Sequence, residues 1–137
     1  MTAPEFELLT PVNLYDQINE NYSAVLSTRK GDAFLDMETT HGYLSTDDNL
    51  VLNFQAFIDL YDAEATHAAG SEAVVDQLDL LLNGGRMKRL YDGAPTPNPR
   101  SILIDLGANL PSSPTTAARV KNIVYALLGS PDFAIQR

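Results

Sequence analysis

The chain has 137 residues, of which 45% are hydrophobic and 20% are charged, and it contains no cysteine. This composition is ordinary for one globular domain, excludes disulfide bonds and thiolate metal sites, and leaves no apolar run near the ~20 residues of a membrane-spanning helix. The net charge of −9 argues against general nucleic-acid binding, because that binding requires lysine and arginine side chains that neutralise phosphates.

Charge is distributed unevenly along the chain. Residues 1–83 carry fifteen acidic and two basic side chains, a net charge of −13, whereas residues 84–137 carry three acidic and seven basic ones, a net charge of +4. The two parts either attract each other within one fold or solvate different faces of it. The alternative is a charged docking surface for a partner.

Four dipeptides in which a capping side chain precedes proline mark candidate helix starts. They are Thr10-Pro11, Asn98-Pro99, Ser113-Pro114 and Ser130-Pro131. The side-chain oxygen accepts from an unpaired first-turn amide, and proline tolerates the first helical position. After the first of these, apolar residues recur at three- and four-residue spacing from Val12 to Leu26, which predicts a helix of about four turns.

Residues 30–52 are predicted to form a long irregular connection, because glycine, threonine and acidic residues surround short apolar pieces. Alternation near Leu50 to Leu52 favours a short strand there. Asn53 is then predicted to cap a short helix that fades by His67 to Gly70. Its apolar face comprises Phe54, Phe57, Ile58 and Tyr61.

The most regular helical pattern begins at Ser71, which we predict to be a helix cap with Glu72 in the first turn. Asn83, Gly84 and Gly85 are predicted to end this helix in left-handed conformations. Its predicted buried stripe consists of Val74, Val75, Leu78, Leu81 and Leu82.

Two more helices are predicted, one after Asn98 and one after Ser113. The first presents Ile102, Leu103, Leu106 and Leu110, a pattern that Gly107 weakens. The second ends at Gly129, with Arg119, Lys121 and Asn122 facing outward. Its inward residues are Ala117, Val120, Ile123, Val124, Leu127 and Leu128. Together the patterns predict a mostly α fold, a single compact domain of five or six helices over residues 1–137.

The histidines and paired acids do not form a recognisable catalytic or metal site. His41 and His67 lie apart without a second ligand at helical spacing, so each is expected to face solvent. Asp76 and Asp79 share one helix face, which Val75, Leu78 and Leu82 predict to be the outer one. Paired catalytic carboxylates instead need a cleft that removes water from one of them.

Two loops resemble ligand sites only superficially. Residues 45–49 are rich in oxygen-bearing side chains, but they lack the alternating spacing and the distal glutamate of a calcium loop. Gly84 and Gly85 precede Arg86, Lys88 and Arg89, yet no phosphate-binding glycine motif is present. Helix termination accounts for the glycines, and the cations complement the negative helix end. We therefore predict no catalytic, cofactor-binding or metal-binding residue in this chain, and no cofactor.

Three stretches, Ala3 to Phe6, Val75 to Met87 and Ser130 to Arg137, carry sequences of the types APEF, LVDxLDxLLxGGxM and SPEFxxQR. In this order they resemble the C-terminal part of the bacterial family called domain of unknown function 1800. The resemblance implies that residues 1–137 are the C-terminal portion of a larger exported protein, with a natural end at Arg137. It also implies a periplasmic, envelope or secreted location. The family has no settled activity to carry over, and its aromatic- and histidine-rich FWxxHF stretch has no counterpart here.

The function expected from these observations is a non-catalytic helical module that serves packing and partner binding. Its expected partner is the remainder of its parent protein or another exported protein. One alternative is that the chain forms one wall of the active-site cleft of a larger envelope or polysaccharide-acting enzyme, with His41, Tyr43 or the acidic loop near that cleft. A second alternative is an autonomous binding protein that associates with itself.

Overall fold

The computed structural model describes residues 52–112 and 114–134, together with six helical residues nearer the N-terminus. These six are Asp16, Ile18, Asn19, Asn21, Tyr22 and Val25. They fall within the first predicted helix, whose start at Thr10-Pro11 lies outside the described residues, as do residues 30–51. The chain divides into two compact units, residues 1–52 and 53–137, and the helices from residue 55 onward form the second. One domain over residues 1–137 stays a prediction.

The mostly α fold is confirmed. The helices are α1 (Gln55–Asp62), α2 (His67–Asn83), α3 (Arg86–Tyr91), α4 (Pro99–Ala108), α5 (Thr116–Leu128) and α6 (Pro131–Ala134). Within residues 52–112 and 114–134 there is no strand, and Leu52 itself is irregular. None of the helices in that part of the chain is long and apolar enough to cross a membrane.

Helix α2 begins five residues earlier than the sequence pattern predicted, since its N-cap is residue 66 and not residue 71. Its N-cap is Thr66, whose hydroxyl accepts a hydrogen bond from the amide of Ala69. The prediction that Ser71 caps this helix is therefore wrong, because Ser71 lies inside it and is fully buried. The placement of Glu72 in the first turn is wrong for the same reason. The stretch from His67 to Gly70 starts a helix and does not end one.

Helix α2 is the centre of this unit, since it contacts each of the other five helices. Its buried positions are spaced at three and four residues, as an amphipathic helix requires. They include Ser71, Val74, Val75, Leu78 and Asp79. The stripe is therefore continued by an aspartate, and the prediction that Leu81 is buried is wrong, because its side chain is 62% exposed.

The predicted inner faces of α4 and α5 are also partly wrong. In both helices, as in α2, residues other than large apolar ones occupy inward positions. In α4 the buried residues are Arg100, Leu103 and Gly107, so that Ile102 is exposed. Leu110 lies beyond the end of α4. In α5 the predicted burial of Val120, Ile123, Val124 and Leu127 is confirmed, but Arg119 is buried with them and does not face outward.

The predicted helix starts are correct where proline stands at the first helical residue. Asn98 caps α4 through a reciprocal pair of hydrogen bonds with Ser101, and α6 begins at Pro131. The N-cap of α1 is Phe54 and not Asn53 as predicted, although Asn53 Oδ1 accepts a hydrogen bond from the amide of Gln55 at 2.9 Å. The start at Ser113-Pro114 is misplaced, because the N-cap of α5 is Thr115.

Gly107 allows α4 to approach α2 and α5 closely. A methyl group added at Gly107 would lie 2.5 Å from both the Ile123 side chain and Ser71 Oγ. The absence of a side chain is therefore a packing requirement. From the sequence, the same glycine was expected only to lower the helix propensity of this segment.

We expect Gly107→Ala to lower the free energy of unfolding by about 2–3 kcal/mol, because overpacking forces neighbouring groups to shift. Gly129→Ala is the matched control, since its added methyl would lie no closer than 3.7 Å to another atom. That control should change stability by less than about 0.5 kcal/mol. Urea denaturation of both variants measures the difference, and equal midpoints would contradict the close approach.

Candidate functional site

The most concentrated group of charged side chains in this unit lies where α2, α3 and α4 meet. It is formed by Asp76 and Asp79 from α2, Lys88 from α3 and Arg100 from α4. We call it the carboxylate cluster. The prediction that Asp76 and Asp79 lie on the outer face is wrong, because Asp79 is 1% exposed and Asp76 is partly buried.

The two glycines after α2 bring Asp79 into contact with the start of α3. Gly84 and Gly85 both have positive φ angles, 63° and 73°, which glycine adopts without strain. Their amides both donate to the backbone carbonyl of Asp79, at 3.0 Å for Gly85. The chain therefore reverses at once, and α3 begins beside the last turns of α2.

Asp79 caps α3 through its side chain. Its two carboxylate oxygens accept from the amides of Met87 and Lys88, at 2.9 and 2.8 Å. Amides at a helix start lack partners within the helix, and the positive helix end favours an anion there. Burial of the Asp79 charge is compensated by these two bonds, and Met87 is held in the core.

Asp76 joins α2 to the two following helices. Its carboxylate accepts from Arg100 Nε at 2.9 Å and Arg100 Nη2 at 3.0 Å, and from Lys88 Nζ at 2.6 Å. Arg100 also donates to Glu72 Oε1 at 2.7 Å. The paired, planar contact between guanidinium and carboxylate is a strong form of ion pair.

Three charges of the cluster, those of Asp76, Lys88 and Arg100, shift one another's pKa values. Burial of Asp76 acts to raise its pKa, but the hydrogen bonds and charges of Arg100 and Lys88 outweigh it and hold the pKa below its ordinary value. The hydrogen bond to Asp76 raises the pKa of Arg100 and that of Lys88. All three side chains are therefore charged at neutral pH, and Asp76 is a poor proton donor or acceptor.

Arg119 is a second buried cation, and it stabilises the end of a helix. Its Nη1 donates to the carbonyl oxygens of Gly107 and Ala108, at 2.8 and 2.7 Å. These are among the last carbonyls of α4, which have no partner within the helix and lie at its negative end. Arg119 is thus positioned to hold α4 against α5.

The remaining predicted candidates do not come together at a site. His67 is exposed, as predicted, and its Nδ1 lies 3.2 Å from the hydroxyl of Tyr61. His41 and residues 45–49 lie outside the described residues. Within the part of the chain that the structure describes, no three acidic or histidine side chains are placed to hold a metal ion.

No protein-family model, curated protein or solved structure matches this chain.

The sequence pattern missed Arg100 and Arg119 as structural residues, although each had a usable signal. Arg100 lies three residues before Leu103 and seven before Gly107, and Arg119 lies four residues before Ile123, which places each on an inner face at helical spacing. Buried arginines need partners, which here are Asp76 and the α4 carbonyls. The sequence alone did not show where those partners lie.

We expect Asp79→Ala to destabilise the protein by about 2–3 kcal/mol, because two amides at the start of α3 lose their acceptor. Amide hydrogen exchange should then accelerate at Met87 and Lys88 in particular. Asp59→Ala is the matched control, since Asp59 is exposed and accepts only from a side chain of its own helix. Unchanged exchange at Met87 and Lys88 in Asp79→Ala would contradict the capping role.

Acid should weaken the fold through Asp76. Because its pKa is lower in the folded than in the unfolded state, its stabilising contribution is complete above the ordinary value of 3.8 and is lost as the pH falls through the folded value. The free energy of unfolding should therefore fall below about pH 4, and the fall should be shallower in Asp76→Asn. Urea denaturation between neutral and acid pH measures this. An identical slope in the variant would contradict the assignment.

Proposed function

We propose that this chain is a non-catalytic helical module that serves packing and partner binding, in an exported bacterial protein of the domain of unknown function 1800 type. The observation that carries the proposal is that the charged residues of the carboxylate cluster are bonded to one another and to backbone amides. Each cluster residue already has partners within the fold, and those bonds connect helices.

The stretch Val75 to Met87, on which part of the family resemblance rests, supports this proposal. Within it Val75 and Leu78 are core residues, Asp76 and Asp79 hold neighbouring helices, and the two glycines make the turn. Met87 is buried in the core. A structural role therefore accounts for these motif positions, without a reaction at any of them.

Catalysis at Asp76 or Asp79 is disfavoured by their surroundings. A general acid at neutral pH needs a raised carboxyl pKa, usually from burial without a cationic partner. The pKa of Asp76 is lowered instead. Asp79 has both oxygens occupied by backbone amides and is almost completely removed from solvent.

Large apolar side chains on the surface support the proposal that this chain binds a partner. Leu80 and Leu81 of α2, Leu90 of α3 and Ile102 of α4 are each about half exposed or more. Single exposed leucines are common on proteins, but two consecutive ones on the central helix provide apolar surface that a partner can cover.

The proposal is tested by assaying the full chain against chromogenic sulfate, phosphate and glycoside esters. We expect hydrolysis at background rates, and rates that do not differ between the wild type and Asp76→Asn, although this variant is less stable. Turnover above background that Asp76→Asn abolishes under conditions where the variant remains folded would overturn the proposal.

A further inference from the structure

A groove of about 450 Å³ runs beside the carboxylate cluster, between α1, α2 and α3. Its apolar wall is formed by Leu60, Ala73 and Leu80, and its cationic wall by Lys88 and Arg89. Leu80 is 60% exposed, so a large apolar side chain borders the open side of this groove.

The acidic side chains of the groove already have partners within the fold. Asp79 is buried with two amide donors, and Asp76 is paired with Arg100 and Lys88. Arg89 is exposed and forms no ion pair or side-chain hydrogen bond with any residue that the structure describes. The groove is therefore lined by one available guanidinium, a half-exposed ammonium group and apolar side chains.

We propose that this groove binds a peptide segment of a partner protein that carries a carboxylate next to a large apolar side chain. Arg89 pairs with the carboxylate, since guanidinium groups match carboxylates in geometry and charge. The apolar side chain of the partner lies against Leu60 and Leu80 and removes Leu80 from water. The inference rests on the proposed partner-binding function and names the chemistry of that partner.

An acidic peptide is complementary in charge to the cations of the groove but not to the net charge of the whole chain. The net charge of −9 repels acidic peptides and attracts basic ones at long range. A preference for an acidic peptide must therefore come from a local cationic site, which makes the sign of the peptide charge a decisive probe.

The experiment uses two fluorescently labelled synthetic peptides that share one pattern of leucines and carry either glutamate or lysine at the other positions. Fluorescence anisotropy with the full chain measures both affinities. We expect the glutamate peptide to bind at least about tenfold more tightly, and this preference to shrink as salt is added.

Matched variants locate the binding. Leu80→Ser and Arg89→Glu should each weaken binding of the glutamate peptide by about tenfold. Leu81→Ser is the control for the leucine, because Leu81 is as exposed as Leu80 but does not line the groove. Lys121→Glu is the control for the charge reversal, because Lys121 lies on α5 and also does not line it. Both controls should bind like the wild type.

The proposal is overturned if the two peptides bind equally, if neither binds, or if Leu81→Ser weakens binding as much as Leu80→Ser. It is also overturned if the chain sediments as a dimer that Leu80→Ser and Arg89→Glu dissociate and Leu81→Ser does not. These outcomes leave the proposed non-catalytic role standing and remove only the acidic partner. Turnover in the ester assay would instead remove the proposed function while leaving the peptide result standing.

Discussion

The arrangement of α2, α3 and α4 depends on two carboxylates that point inward from α2. Asp79 holds the start of α3, and Asp76 holds Arg100 of α4 and Lys88 of α3. Apolar contacts alone would press these helices together without fixing their positions along one another. The directional bonds of the carboxylate cluster fix those positions, because each bond is made only at one register.

The same arrangement explains why polar residues are tolerated in the interior. Burial of an unpaired charge is costly, but Asp79, Arg100 and Arg119 each have partners, although Arg119 Nε and Ser71 Oγ have none among the described residues. Asp79 is compensated by amides, Arg100 by Asp76 and Glu72, and Arg119 by the last carbonyls of α4. Groups that are used in this way are not available for chemistry. Among the described residues, the exposed leucines and Arg89 are not used in this way.

The sequence was most informative where inner faces are purely apolar. The period of Val120, Ile123, Val124 and Leu127 predicted the buried face of α5 correctly, and Asn98 with Pro99 located the start of α4. Prediction failed where Ser71, Asp79, Arg100, Gly107 and Arg119 take inner positions. Hydrophobic periodicity assigns such residues to the outside, and the Leu81 assignment failed with them.

The partners of these residues could not be read from local sequence. Arg100 meets Asp76 across 24 positions and Glu72 across 28, so the fold must be known before the pairs are. The glycine turn is a partial exception. The left-handed helix end predicted for Asn83 to Gly85 is confirmed for the two glycines, whereas Asn83 is still helical. Nothing in that pattern showed that the chain would return so that Asp79 caps the next helix.

A double-mutant cycle between Asp76→Ala and Arg100→Ala tests the central claim most directly. The exposed fractions of these side chains are 18% for Asp76 and 9% for Arg100, so their ion pair is largely shielded from water. We predict a coupling free energy of about 2 kcal/mol or more in the unfolding of the full chain. A coupling below about 0.5 kcal/mol, as exposed pairs give, would show that the carboxylate cluster does not hold α4 to α2.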